Sequence, residues 1–419
     1  MPQEVVITGL GVVCPLGIGN EAVWAAVEAG RSGVHTIERF AEAGLQPPIA
    51  GEVTDLDPKQ YVKPRKSLKV MSRETHFGFS AAEIAWADAG LEGTSITPER
   101  LGVVVGANIF RSDLNELVAS YRATSEGESF DFTQWGHAGM PELYPLWMLK
   151  YLPNMTACHI GIYHDARGPI NTIVEGDVSS LLSVIEAADV IARGHADVMI
   201  AGATSSMLSL IDLCWHAGAG LSTRSDDPAG ACRPFDAERD GTVASEGAGM
   251  FVLESRDHAE KRGARIRGRV SGYARRAEPS AMTQTPTGSA VRNSLAAAVE
   301  RSRLAPEHIG HVSAHGLGSV EADAFEAQAI ADVLGDVRVT ATKSFFGNLG
   351  AAGGAAELVV SLLGAEAGVA PPTRNYETPD PRCPVNVSPE PVETPSKSVV
   401  AISHKCTGQA VTLVVDEAV

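Results

Sequence analysis

The chain has 419 residues, with 51 acidic against 34 basic side chains and a formal net charge of −17. Hydrophobic residues make up 44% and charged residues 20%, ordinary values for a folded protein, which excludes a disordered or coiled-coil chain. So acidic a chain is a poor general binder of nucleic acid or of an anionic membrane, and no window approaches the roughly 18 consecutive apolar residues of a membrane-spanning helix.

The N-terminus, MPQEVVITGLGVV, carries an acid where an export signal would be basic, so Val5–Val13 is predicted as a first buried strand in a cytoplasmic protein. Residues 72–91 place apolar side chains at helical spacing and end at Gly90. Leu101–Val105 reads as a short strand, Val178–Ala192 as a helix, and Asp197–Ala203 and Gly249–Leu253 as strands. The second half repeats the grammar: helix Asn293–Ser302, strand His311–Ala314, helix Val320–Val333, strand Val337–Ala341, helix Ala352–Ala365, then strands Val399–Ile402 and Ala410–Val415. Short strands alternating with helices predict an α/β fold with largely parallel sheets. Two segments break the pattern. Phe110–Pro153 scatters acids, glycines and the aromatics Tyr121, Phe130, Phe132, Trp135, Tyr144 and Trp147, which fit either a gate at an interface or a local core. Pro371–Pro395 reads as an extended surface connection.

The six cysteines (Cys14, Cys158, Cys214, Cys232, Cys383 and Cys406) form no CxxC pair, which argues against a disulfide framework or a zinc site. His311 and His315 bracket a strand end, so a metal pair is not expected there, and His159 and His164 read as structural because no carboxylate stands at useful spacing. No nucleotide or flavin motif is visible. Lys63-Pro-Arg65-Lys66-Ser-Leu-Lys69 concentrates four basic residues in an acidic chain, as a docking patch for an acidic partner or a solvated loop.

Six stretches, in order along nearly the whole chain, carry a resemblance. They are VVITGLGVVCPLG (5–17), GPINTIVEGDVSSLLSVIEAA (168–188), ADVMIAGATSS (196–206), LSTRSDDPAGACRPFDAERDGTVASEGAGMFVLE (221–254), SAHGLGSVEADAFE (313–326) and TKSFFGNLGAAGGAAE (342–357). Together they resemble the β-ketoacyl-ACP synthase family of the thiolase superfamily. The resemblance implies a thiolase-like fold of two similar βαβαβ halves in an α-β-α-β-α arrangement, divided here as 1–255 and 256–419, with 110–153 as an insertion. It also implies a dimer formed through a strand near the nucleophile turn. No cofactor is implied beyond the phosphopantetheine-bound acyl chain that an acyl carrier protein delivers, and the basic run 63–69 lies where such synthases meet that carrier.

The family's chemistry uses a cysteine at a helix N-terminus as acyl acceptor and two histidines that bind the malonyl thioester carbonyl. Counting from Gly168-Pro169, the cysteine position holds Asp177. A carboxylate acceptor would give a mixed anhydride, uphill from a thioester, which closes the usual condensation. Asp177 reads as a helix N-cap, as a plug at the pocket mouth, or as both. His315 keeps the first histidine, the second becomes Asn348, and Lys343, Asp323 and Glu326 remain. The family's glycine-rich C-terminal loop is replaced by His404-Lys405-Cys406-Thr407-Gly408, so Cys406 and Thr407 line the nucleophile pocket in this reading. Three functions stay open: a non-condensing partner similar to chain-length factors, in a homo- or heterodimer with a ketosynthase; a malonyl-ACP decarboxylase or a condensing enzyme working through His315 and Asn348; or a homodimeric acyl-binding scaffold. Chain-length factors more often carry glutamine at the position of Asp177 and usually lack the histidine kept here as His315.

Overall fold

The computed structural model describes residues 3–417, except 43, 46–47, 128, 217–219 and 280–285. Ten strands carry the architecture. The first half holds β1 (Val5–Cys14), β2 (Leu101–Ala107), β3 (Ile170–Ile173), β4 (Val198–Ser206) and β5 (Glu246–Ser255). The second half holds β6 (Gly268–Ala277), β7 (His311–Ser313), β8 (Arg338–Thr340), β9 (Val399–His404) and β10 (Gln409–Asp416).

In space the first half runs β1-β5-β4-β2-β3 and the second β6-β10-β9-β7-β8, the same order twice. In each half the first two ladders are antiparallel and the last two parallel. The sheets are therefore mixed, and the expectation of largely parallel sheets is corrected. The cause is plain in the second half, where β9 and β10 form a hairpin around the four-residue loop 405–408. The halves meet at a short antiparallel contact, Val6 opposite Arg269 and Ile7 opposite Gly268.

Five layers follow. Helix α1 (Arg73–Asp88), capped by the Ser72 side chain, covers the outer face of the first sheet against β1, β5 and β4. Gly9 and Gly11 of β1 permit that approach, since a Cβ on Gly11 would lie 2.0 Å from the Ala81 carbonyl oxygen. Helices α2 (Ser179–Ala192) and, from the second half, α5 (Gly353–Glu366) touch each other and form the middle layer between the sheets. Helices α3 (Ser289–Ser302) and α4 (Val320–Leu334) pack together outside the second sheet. The largest core joins Ile7, Leu10 and Val104 of one sheet to Val399 and Leu413 of the other through Leu181, Ile185, Leu358 and Val359 of the middle helices. Small residues in α5 make that layer thin: a Cβ on Gly354 would stand 2.3 Å from Ser403 Oγ and 2.8 Å from Ser180 Oγ.

The 110–153 segment is irregular, as expected, with short turns and the brief helix Val118–Ala123. Several of its aromatics lie at the surface of the chain and do not form a buried local core. Tyr121, Phe130 and Trp135 cluster at the surface with ring centroids 5.5–6.2 Å apart, and Phe132 is 74% exposed. The Pro-rich connection differs from its expectation at the start, where Pro371, Pro372 and Thr373 are buried. No helix among the described residues is long and apolar enough to cross a membrane.

Candidate functional site

The parallel strand ends of the second sheet deliver most of the site. The chain leaving β7 places His315, 2% exposed, in a turn whose backbone is held by Glu326 of α4: the N–H groups of His315 and Gly316 donate to its two carboxylate oxygens at 2.7 and 2.8 Å. After β8, Lys343 is fully buried. Its ammonium donates to the His315 carbonyl oxygen at 2.7 Å and to Glu357 of α5 at 2.5 Å, and it lies 3.2 Å from His315 Nδ1. Asn348 follows Gly347, a residue at φ 79° that suits glycine, and its backbone N–H donates to Val243. Its side-chain Oδ1 accepts the Gly350 N–H at 3.1 Å. A Cβ on Gly353 would sit 3.1 Å from Glu357, 3.7 Å from Asn348 Oδ1 and 3.7 Å from Lys343 Nζ, so one glycine makes room for all three.

These contacts fix the hydrogen-bond roles. An ammonium facing Nδ1 requires that nitrogen to accept, which leaves Nε2–H as the donor of the His315 ring. Burial, reinforced by Lys343 and His404, holds the His315 imidazole well below its ordinary pKa, so it stays neutral. With Asn348 Oδ1 occupied, the amide offers its NH₂. The site therefore holds two neutral donors of the kind a thioester carbonyl accepts. Burial pushes the Glu357 carboxyl up, against the pull of Lys343.

The first half contributes the turn Gly176–Val178 before α2, and Asp177 lies in it. The N-cap of α2 is Val178, with no side-chain cap bond, so the N-cap reading of Asp177 is corrected; its carboxylate precedes the cap by one residue. Asp177 is near enough to Glu357 to raise that group's pKa, which ties it to the same site. Lys405 lies against Gly176, where a Cβ would meet its side chain at 3.2–3.6 Å, so the 405–408 loop with Cys406 and Thr407 faces the Asp177 turn. Burial pushes the thiols of Cys14, Cys232 and Cys383 up to about 12. Such thiols carry almost no thiolate at neutral pH.

Lys63, Arg65, Lys66 and Lys69 are exposed, on a stretch anchored by buried Val62, and form no ion pair among the described residues. His311 is a core histidine, with burial lowering its pKa to about 3, and no group of three metal-binding side chains occurs among the described residues. His164 has a partner that sequence spacing did not show: Nε2 lies 2.7 Å from Glu83 Oε1. Two site residues escaped the sequence reading. Glu357 was legible as the lone acid in the small-residue run before Leu358, and His404 was read only as part of an altered loop.

A cavity of about 800 Å³ opens beside the end of β4, with Arg73, Glu74, Arg111, Tyr151, Ser206 and Leu208 among its lining. Met207, between two of these, packs on Gly350, two residues from Asn348.

Duplicated five-strand halves and a shared helical middle layer, with His315, Lys343 and Asn348 gathered at the strand ends, define a thiolase-like protein. Comparison with known proteins supplies the family. The β-ketoacyl synthase N-terminal domain matches residues 2–259 and the C-terminal domain residues 267–377. The chain is 34% identical over 393 residues to 3-oxoacyl-[acyl-carrier-protein] synthase 2 of Coxiella burnetii, covering 92% of each. It is 35% identical over 397 residues to the tetracenomycin polyketide synthase ketoacyl synthase alpha subunit of Streptomyces glaucescens, covering 92% of this chain and 90% of that one. The ishigamide ketosynthase/chain length factor superposes over the whole of both chains with a TM-score of 0.86 at 28% identity. This chain belongs to the β-ketoacyl synthase family.

Proposed function

We propose that the chain serves fatty acid or polyketide synthesis as a non-condensing subunit, similar to a chain-length factor, that pairs with a cysteine-bearing ketosynthase. One observation carries the reading: the turn that starts α2 presents Asp177, while His315, Lys343 and Asn348 stay grouped in a buried, hydrogen-bonded site. A carboxylate cannot hold an acyl group at thioester energy, so the chain must grow on another subunit's thiol. Relatives named as a carrier-protein synthase and as a ketosynthase/chain length factor support this reading. So does the exposed edge strand β3, whose first residue Ile170 is 45% exposed and which follows the helix bearing Ile162 (78%), an open ladder beside apolar surface that suits a subunit contact. The basic run 63–69 is the docking patch for the acidic carrier. The cavity beside β4 gives room for part of a growing chain.

The test is acyl loading followed by intact mass. The purified chain, incubated with acyl-carrier protein, gains no acyl mass, and Asp177→Cys gains one. Tagged protein recovered from its own host carries a ketosynthase with an intact cysteine in equal amount. An acyl adduct on the unaltered chain, on Cys406 for instance, overturns the reading.

A second reading is favoured by the two neutral donors. His315 Nε2–H and the Asn348 amide can hold the enolate oxygen that forms when a malonyl thioester loses CO₂, with no need of a nucleophile. It is supported if malonyl-carrier becomes acetyl-carrier with the isolated chain and His315→Ala stops the conversion.

A further inference from the structure

Three buried carboxylates surround the His315 turn, and a buried carboxylate is costly without a basic or hydrogen-bonding partner. Glu357 has Lys343. Asp323 has Arg239 at 3.7 Å and accepts the backbone N–H groups of Phe235 and Gly318. Glu326 is fully buried, and its two oxygens hold the N–H groups of His315 and Gly316. Within 4.0 Å of Glu326, the basic side chain among the described residues is His404, with Nε2 3.4 Å from Oε2.

His404 ends β9 and is 3% exposed. Its ring meets the His315 ring edge-on at 4.4 Å between centroids and rests on Phe325 at 5.0 Å. Its Nε2 is buried without a hydrogen-bond partner. At 3.4 Å the separation is already within hydrogen-bond reach, so a turn of the ring, not a displacement, would complete the bond to Glu326; no other assigned role uses this nitrogen.

We propose that His404 is a positioning residue: it is the basic partner of Glu326, and through that carboxylate it fixes the turn that aims His315 into the pocket. The role deepens the carbonyl-pocket reading given above, because it rests on His315 being a donor in that pocket.

The test separates nitrogen from ring. His404→Phe keeps an aromatic ring against His315 and Phe325 but removes both nitrogens. His404→Gln keeps an N–H donor without an aromatic ring. In [¹⁵N]histidine-labelled protein, the His315 amide cross-peak is identified by its loss in His315→Ala. The expected result at pH 7 is that His404→Phe displaces this cross-peak and speeds its hydrogen exchange about tenfold, while His404→Gln returns both toward the unaltered protein. Should His404→Phe fold poorly, His404→Leu set against His404→Gln makes the same comparison. An undisturbed His315 amide in His404→Phe, or equal disturbance in His404→Gln, overturns the proposal. Neither outcome depends on acyl loading or on a ketosynthase partner, so failure of the subunit reading is seen separately.

Discussion

Glu74 shows how a single buried acid sets a pH limit. It sits in the first turn of α1 at the cavity wall, and burial raises its carboxyl to about 7, with Glu246 and Asp212 adding to the rise. An acid whose folded pKa exceeds its unfolded value binds its proton more tightly when folded. Its stabilising contribution is complete below about pH 4.5 and is lost as pH rises through 7. The expected loss between pH 5 and 8 is about 2.5 kcal/mol, and urea unfolding of Glu74→Gln should lack it. An equal pH slope in the variant would remove the assignment. Lys343 follows a different rule. Lys343→Met strands the buried Glu357 carboxylate and should cost about 3–5 kcal/mol in the same assay, since breaking a buried pair leaves one charge uncompensated.

Among the elements, α5 depends on closeness. The Ser403 and Ser180 oxygens lie where a Gly354 side chain would go, so Gly354→Ala must separate α5 from β9 or α2. The expected cost is about 1–3 kcal/mol, read as a lower denaturation midpoint. Elements with one clean period were legible from sequence. The apolar runs of β1, β2, β4 and β5 and the helices α1, α2, α4 and α5 lie where their patterns placed them, within a few residues. Two strands were hidden by their composition. In β3, Asn171 and Thr172 interrupt the apolar run because the strand lies at a sheet edge. In β6, Arg269, Arg275 and Arg276 mask a strand whose arginines reach outward to acids such as Asp416 and Asp189. At the site, His315, Lys343 and Asn348 stood in recognisable motifs. Glu326 and His404 acquire their relation only when β9 is laid beside β7, a contact across almost eighty positions that local pattern does not encode.

At the scale of the whole molecule, the proposed partners are tested through charge and exposed apolar surface. Arg65→Glu with Lys66→Glu should weaken binding of an acyl carrier protein about tenfold in low salt, and added salt should shrink the difference. Equal affinity in low salt would leave the basic run as a solvated loop. Ile162→Glu with Ile170→Glu places charge beside the open edge of β3 and should shift the protein toward monomer in light scattering; an unchanged mass would locate the subunit contact elsewhere.

The shared helical layer has a consequence for synthesis on the ribosome. The inner face of the first sheet and α2 are completed by α5, whose residues 353–366 emerge roughly a hundred positions after β5. At translation rates of about 5–20 residues per second, the first half waits about 5–20 s with Leu181, Val184 and Ile185 lacking their cover. A chain truncated near residue 255 should therefore expose that apolar face, and co-purification with holding chaperones would show it; release as a folded, chaperone-free species would count against it.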